Sequence, residues 1–179
     1  MYQQTKNSMT YIIAGFIFLV SNLAIAQRPA PPPLAVPNPN YVTVNLEMEV
    51  NKPAADVWKR VGKYCDIGEW LNIPGGCNML SGKEGEVGSV RSVANEILVA
   101  KTELSYAYTQ PVREGVPYNL YHGNLEARPI DDKTSKLVYT LVYDDSLLEN
   151  DEARKAQITR LNAIFTRALT NMKKLAEES

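Results

Sequence analysis

Two ionisable residues stand where strand alternation makes charge expensive. Arg91 shares a face with Ser89 and Val93, and Glu96 shares a face with Leu98 and Ala100, across a tight hairpin from Arg91. If that common face is the inner one, a guanidinium and a carboxylate meet in an apolar interior. There, each ion costs several kcal/mol to desolvate unless the partners are close and fully hydrogen-bonded. Proteins seldom keep such a pair without a use, such as orienting a polar group of a ligand or moving a proton. The alternative is a surface pair on a twisted hairpin.

Other chemistries lack their parts. His122 is the sole histidine, and its alternation with Tyr121 points it outward, so a Ser-His-Asp triad and a histidine metal site both miss their central residue. Neither a metal nor a cofactor is expected. Cys65 has no candidate base beside it. The spacing of Gly82, Gly85 and Gly88 is superficially that of a phosphate loop, but a strand follows Gly88, whereas a phosphate cradle needs the start of a helix there. These are read as turn glycines.

The elements that must position the Arg–Glu pair follow from periodicity. Val42, Val44, Leu46, Met48 and Val50 alternate with polar residues as a strand with one wet face. Pro53 starts a short helix reaching about Lys63, with Val57, Trp58 and Val61 facing inward. A second short helix covers Asp66 to Leu71 and ends at Pro74-Gly75-Gly76. Strands are then expected over 78–80, 87–93, 96–101, from Leu104 to Tyr108, around Tyr121 to Ala127, and over a last segment with Leu137, Tyr139, Leu141 and Tyr143 on one face. A helix over 150–178 carries Leu161, Ile164, Phe165, Ala168, Met172, Leu175 and Ala176 as its apolar stripe. Ser146 and Glu149 have capping-box spacing before it. The class is α+β: a curved antiparallel sheet of about six to seven strands around one long C-terminal helix.

The chain of 179 residues opens with a basic start at Lys6, an apolar run over 11–20 and Ala24-Ile25-Ala26, the pattern of a secretory signal peptide cleaved after Ala26. Six of the eleven prolines fall in 28–40, so 27–40 is a polyproline-type tether. That leaves 41–179 as the domain. The mature chain is expected to be secreted, periplasmic in a Gram-negative cell, with no stable membrane span. Its 18 basic and 20 acidic residues do not suggest a nucleic-acid partner. Cys65 and Cys77 are either disulfide-bonded or two buried thiols.

This order resembles the START-like, or SRPBCC, superfamily: the helix-grip fold of the birch pollen allergen, lipid carriers and polyketide cyclases. The resemblance rests on Pro53 with Val57-Trp58, Asp66 with Trp70, Cys77, Gly88 to Arg91, Glu96 with Leu98, Tyr106 with Tyr108, and Tyr121, Gly123, Leu125, Ala127 and Pro129 in one strand. It implies a cavity between sheet and helix that binds a hydrophobic or amphipathic small molecule, lined here by Tyr106, Tyr108, Leu125, Tyr139, Leu141, Phe165 and Met172. One branch, similar to the plant lachrymatory-factor synthases, implies catalytic roles for Arg91, Glu96 and Tyr121 by proton transfer, as a cyclase or isomerase. Exported members imply a third reading, an accessory protein that binds a redox enzyme. Binding without turnover is the reading favoured here, because one fold hosts many tasks.

Overall fold

The computed structural model describes residues 38–113, 115–116 and 118–179. The expected signal peptide and all but the last three residues of the tether lie outside the described residues. Seven strands, all paired antiparallel, form one curved sheet: β1 (Tyr41–Val50), β2 (Met79–Ser81), β3 (Val90–Arg91), β4 (Glu96–Lys101), β5 (Ser105–Thr109), β6 (Asn119–Pro129) and β7 (Ser135–Asp144). Their order, β1-β7-β6-β5-β4-β3-β2, is a meander with β1 folded back onto β7. Helix α1 (Ala54–Val61), a 3-10 turn (Tyr64–Asp66) and α2 (Ile67–Trp70) follow β1, and α3 (Asp151–Glu177) closes the chain. At 1.5 Å per residue its 27 residues span about 40 Å. None of the helices among the described residues is long and apolar enough to cross a membrane.

Helix α3 is gripped because its buried line, Leu161, Phe165, Ala168, Leu169, Met172 and Ala176, meets the apolar face of the sheet. Leu169 joins this line although the expected stripe omitted it, while Ile164 and Leu175 sit half-buried at its edges. Polar ties fix the helix along its length. Asn171 donates to the Trp70 carbonyl at 2.9 Å, Lys173 to the Glu49 carbonyl at 2.8 Å, and Glu177 accepts from the Asn51 amide at 2.9 Å. The cap differs from the expected one. Asn150 is the N-cap, its Oδ1 accepting from the Ala153 amide at 2.9 Å, whereas Ser146 bonds Asp144 instead.

Regular pairing in β3 covers only Val90 and Arg91, shorter than the expected 87–93, because the backbone at Gly88 is left-handed (φ 91°) and the hairpin turn begins after Arg91. Ala94 and Asn95 are left-handed too (φ 52° and 55°), and this turn sets Arg91 directly opposite Glu96. An irregularity between Leu98 and Ala100 rotates β4, so Ala100 is exposed and does not share the inner face of Glu96. Trp58 is half-buried in the middle of α1, with Val57 and Val61 fully inside. The two cysteines are joined: Cys65 in the 3-10 turn and Cys77 before β2 form a disulfide with Cα atoms 5.3 Å apart. Closing a loop of this size contributes on the order of 3 kcal/mol.

Gly123 in β6 is where the sheet admits an aromatic ring. A Cβ there would overlap the Tyr108 ring at Cε1, Cζ and its hydroxyl. Gly123→Ala is therefore expected to lower stability by about 1–3 kcal/mol through overpacking, read by urea unfolding. A loss below about 0.5 kcal/mol would mean that Tyr108 can move aside freely.

Candidate functional site

The centre of the site is the ion pair that the hairpin creates. Arg91 is fully buried and Glu96 is 2% exposed. Nε of Arg91 donates to Oε2 of Glu96 at 2.7 Å, and Nη2 lies 2.5 Å from the same oxygen. Nη1 donates to the carbonyl of Tyr64. The other Glu96 oxygen accepts from Nε2 of Gln110 at 2.8 Å. Aromatic faces complete the enclosure: Cζ of Arg91 sits 4.1 Å from the Tyr64 ring centroid, 4.7 Å from that of Tyr108 and 5.7 Å from that of Tyr106.

Burial works against the guanidinium charge, yet Tyr106, Glu96 and Tyr108 more than offset it and hold Arg91 above its ordinary value. Burial pushes the Glu96 carboxyl up, while the charge of Arg91 and the bonds from Gln110 and Arg91 pull it back only in part. The phenols around the pair are all raised. Burial is the leading cause at Tyr64, Tyr106, Tyr108, Tyr121, Tyr139 and Tyr143, and the positive charge of Arg91 opposes it at Tyr64 and Tyr106.

The expected site residues divide into two groups. Arg91, Glu96, Tyr106, Tyr108 and Tyr139 come together, with the Tyr108 and Tyr139 hydroxyls 2.8 Å apart. Tyr121 lies tilted against Tyr108 at 6.3 Å between centroids and touches neither charge by hydrogen bond. Leu125, Leu141, Phe165 and Met172 belong to the packed core, where Phe165 lies 4.5 Å from the Tyr139 ring. His122 is exposed. Among the described residues, Tyr108, Tyr121 and Tyr143 pack ring to ring along the sheet and Tyr139 meets Phe165 of α3, so these rings, all 6% exposed or less, take up part of the hollow expected between sheet and α3.

Open space lies beside the cluster instead. A cleft of about 320 Å³ opens between the end of α1, the Lys63–Tyr64 turn, the β2–β3 loop at Glu84 and Gly85, and the β4–β5 hairpin. Trp58, Tyr64, Leu98 and Tyr106 give it an apolar floor, and Lys63, Lys101, Thr102, Glu103 and Ser105 a polar rim. A larger hollow of about 570 Å³ lies between residues 70–74 and the 164–171 side of α3, away from the ion pair. A small pocket under the β5–β6 loop has only about 10 Å³. Two contributors to the cleft had no signal in alternation. Tyr64 lies in a 3-10 turn with no period, and Glu84 in a glycine loop. The carboxylate of Glu84 accepts from the amides of Tyr64 and Cys65, tying these two walls together. Among the described residues no three His, Cys, Asp or Glu side chains gather as metal ligands would.

A family model described as polyketide cyclase / dehydrase and lipid transport matches residues 41–177. No curated protein matches the chain. Solved structures similar in fold include a protein from Nitrosospira multiformis (TM-score 0.61, 23% identity, 74% of this chain and 94% of that one). The ZhuI aromatase/cyclase from a Streptomyces species gives a TM-score of 0.59 at 17% identity over 78% and 95% of the two chains. A truncated norcoclaurine synthase from Thalictrum flavum gives 0.55 at 14% over 79% and 97%. At these identities the likeness is one of fold.

The raised phenols set the alkaline limit of the fold. A group whose value is raised on folding contributes stability that is whole below its unfolded value, about 10 for tyrosine, and is lost as pH climbs through the folded value. The expected outcome is that the six buried tyrosines do not ionise while the protein stays folded. Their tyrosinate absorbance should rise only together with the loss of near-ultraviolet circular dichroism. Smooth ionisation of all tyrosines near pH 10 in a still-folded protein would contradict this burial.

Proposed function

The chain belongs to the polyketide cyclase / dehydrase and lipid transport family, within the START-like helix-grip superfamily, and from that membership we propose that it is an exported binding protein for a hydrophobic or amphipathic small molecule. The observation that carries the reading is the 320 Å³ cleft floored by Trp58, Tyr64, Leu98 and Tyr106. Its volume lies in the range that small-molecule sites occupy, roughly 300–1,000 Å³, and an aromatic floor with a polar rim is the usual lining. The bound molecule lays its apolar body on that floor and leaves its polar groups near Lys63, Lys101 and Thr102. This places it at the end of the sheet, where the packing of the tyrosine interior leaves room.

The reading is one of binding rather than turnover, because Arg91 and Glu96 bond each other, Tyr64 and Gln110, and neither is open to a substrate. Export is supported by the signal-like start of the sequence and by the Cys65–Cys77 disulfide, since such bonds persist in oxidising compartments.

Two measurements bear on this. N-terminal sequencing of the protein recovered from its cells is expected to begin at Gln27; an intact Met1 start would remove export. Titration of the domain with N-phenyl-1-naphthylamine, a neutral amphipathic fluorophore, is expected to show saturable binding at one site. Thr102→Trp, at the exposed rim, should fill the cleft and weaken binding about tenfold or more. Binding indifferent to Thr102→Trp but lost in Thr170→Trp would move the site to the larger hollow on α3, and no saturable binding would defeat the reading.

A further inference from the structure

The β2–β3 loop, residues 82–88, supplies one side of the cleft. It begins at Gly82, directly after β2, and ends at Gly88, shortly before β3, and both glycines are in the left-handed region (φ 72° and 91°). The two ends of the loop lie together: a Cβ on Gly82 would stand 2.9 Å from that of Ser89. Between them the loop holds its own shape. The Glu86 amide donates to the Lys83 carbonyl at 3.1 Å, the Lys83 amide to the Glu86 carboxylate at 3.3 Å, and the Ser89 amide to the Glu86 carbonyl at 3.0 Å. A compact loop on a narrow neck, with a glycine on each side of that neck, can swing as one piece.

No buried apolar contact ties this piece down. None of residues 82–88 is buried, and Val87, its one apolar side chain, is 55% exposed. Two side-chain latches hold it instead. The Glu84 carboxylate accepts from the amides of Tyr64 and Cys65 in the 3-10 turn, and Nζ of Lys101, at the end of β4, donates to the Gly85 carbonyl. Glu84 and Gly85 both line the cleft, so the loop is fastened to two different walls and closes the side between them. The walls are fixed independently of it. The 3-10 turn is pinned by the Cys65–Cys77 disulfide and by the bond from Arg91 to the Tyr64 carbonyl, and β4 is paired with β5 along its length. A segment without buried apolar side chains, held by a few bonds near the surface, opens far more readily than the strands around it.

Resting on the binding reading above, we propose that the β2–β3 loop is a hinged flap that gates the cleft: latched by Glu84 and Lys101 it closes beside the ligand, and ligand enters and leaves while the flap is open. Because both latches hold the same piece, weakening one raises the population released from the other.

The test uses the whole protein and two readouts that share one quantity, the fraction of molecules with the flap open. The Tyr64 and Cys65 amides exchange with solvent deuterium when Glu84 lets go, and association of N-phenyl-1-naphthylamine with the cleft waits on the same event. Lys101→Met removes the other latch without touching either amide, and because the fluorophore is neutral the lost charge does not alter its approach. This variant is expected to speed exchange at Tyr64 and Cys65 about fivefold or more, and to speed association by the same factor within about twofold. Amides in the middle of β6 and β7 should keep their exchange rates within about twofold, which marks an intact fold. Glu84→Gln should speed association in the same direction. Exchange at Tyr64 and Cys65 that is unchanged in Lys101→Met, or that in the unaltered protein is as slow as in β6 and β7, would overturn the flap. Faster exchange with unaltered association would overturn its role as a gate, and in both cases the cleft stands as a binding site. If the fluorophore does not bind, or binds indifferently to Thr102→Trp, it is the binding reading that fails, and the gate with it.

Discussion

Arg91 and Glu96 lie side by side where neither can reach water, and much of the architecture at this end of the molecule is arranged around them. An isolated buried guanidinium would cost many kcal/mol, so every side of it needs an answer. Glu96 neutralises it from the adjacent strand, the Tyr64 carbonyl takes the Nη1 proton, and the rings of Tyr64 and Tyr108 cover its faces. Each answer comes from a different segment. The hairpin must turn sharply enough to oppose the two residues, and it does so with two non-glycine residues in the left-handed region. The 3-10 turn must bring its carbonyl inward, and the disulfide and Glu84 hold it there. The β5–β6 connection begins with Gln110 because the second carboxylate oxygen also needs a donor.

The same constraint decides where open space is found. Tyrosines are long, and on β5, β6 and β7 their rings project from the sheet into the region that a helix-grip fold can leave hollow. Here they meet Phe165 of α3 and one another, so their rings take up part of the middle and the polar tips inside it must be paired or stranded. Gly123 is part of this arrangement, since a side chain there would take the place of the Tyr108 ring. Space survives at the edge, where β4 is bulged and the β4–β5 hairpin, α1 and the glycine loop converge without filling the corner. A family described by both cyclase and lipid-transport activities sets no single position for a ligand, and in this chain the open corner beside the ion pair is an edge cleft rather than the middle of the sheet.

Much of the fold is legible in the residues themselves. Long elements with one wet face, β1, β6, β7 and α3, announce their period over ten residues or more, and the facing of Arg91 and Glu96 follows from two short alternating runs joined by a tight turn. What the alternation cannot carry is any place where the period breaks. The bulge after Leu98 sends Ala100 outward, and the glycine loop reduces β3 to two residues. The cap of α3 shows a competition between neighbours: Ser146 and Asn150 can both cap, and Asn150 does so because Asp144 engages Ser146 first. Tyr64 is invisible for another reason. It sits in a 3-10 turn between two short helices, where no period exists, and its role comes from a backbone carbonyl, which every residue has. Whether the interior is hollow depends on side-chain reach across the sheet, which no linear pattern encodes.

The orientation of the ion pair bears directly on what the cleft can hold. The pair is neutral overall, so its field at a distance is that of a dipole, and a dipole has ends. Gln110 stands at the carboxylate end, bonded to the Glu96 oxygen that Arg91 does not use. Tyr64 and Tyr106, the floor of the cleft, stand at the guanidinium end, 4.1 and 5.7 Å from Cζ. Buried charges are screened little by salt, and in a medium less polarisable than water their effect extends across a ring thickness. The cleft floor therefore sits over the positive end of a fixed dipole, and Tyr64 and Tyr106 are the groups through which that polarity reaches anything resting on it. The interior pair thus polarises one wall of the cleft while remaining buried itself.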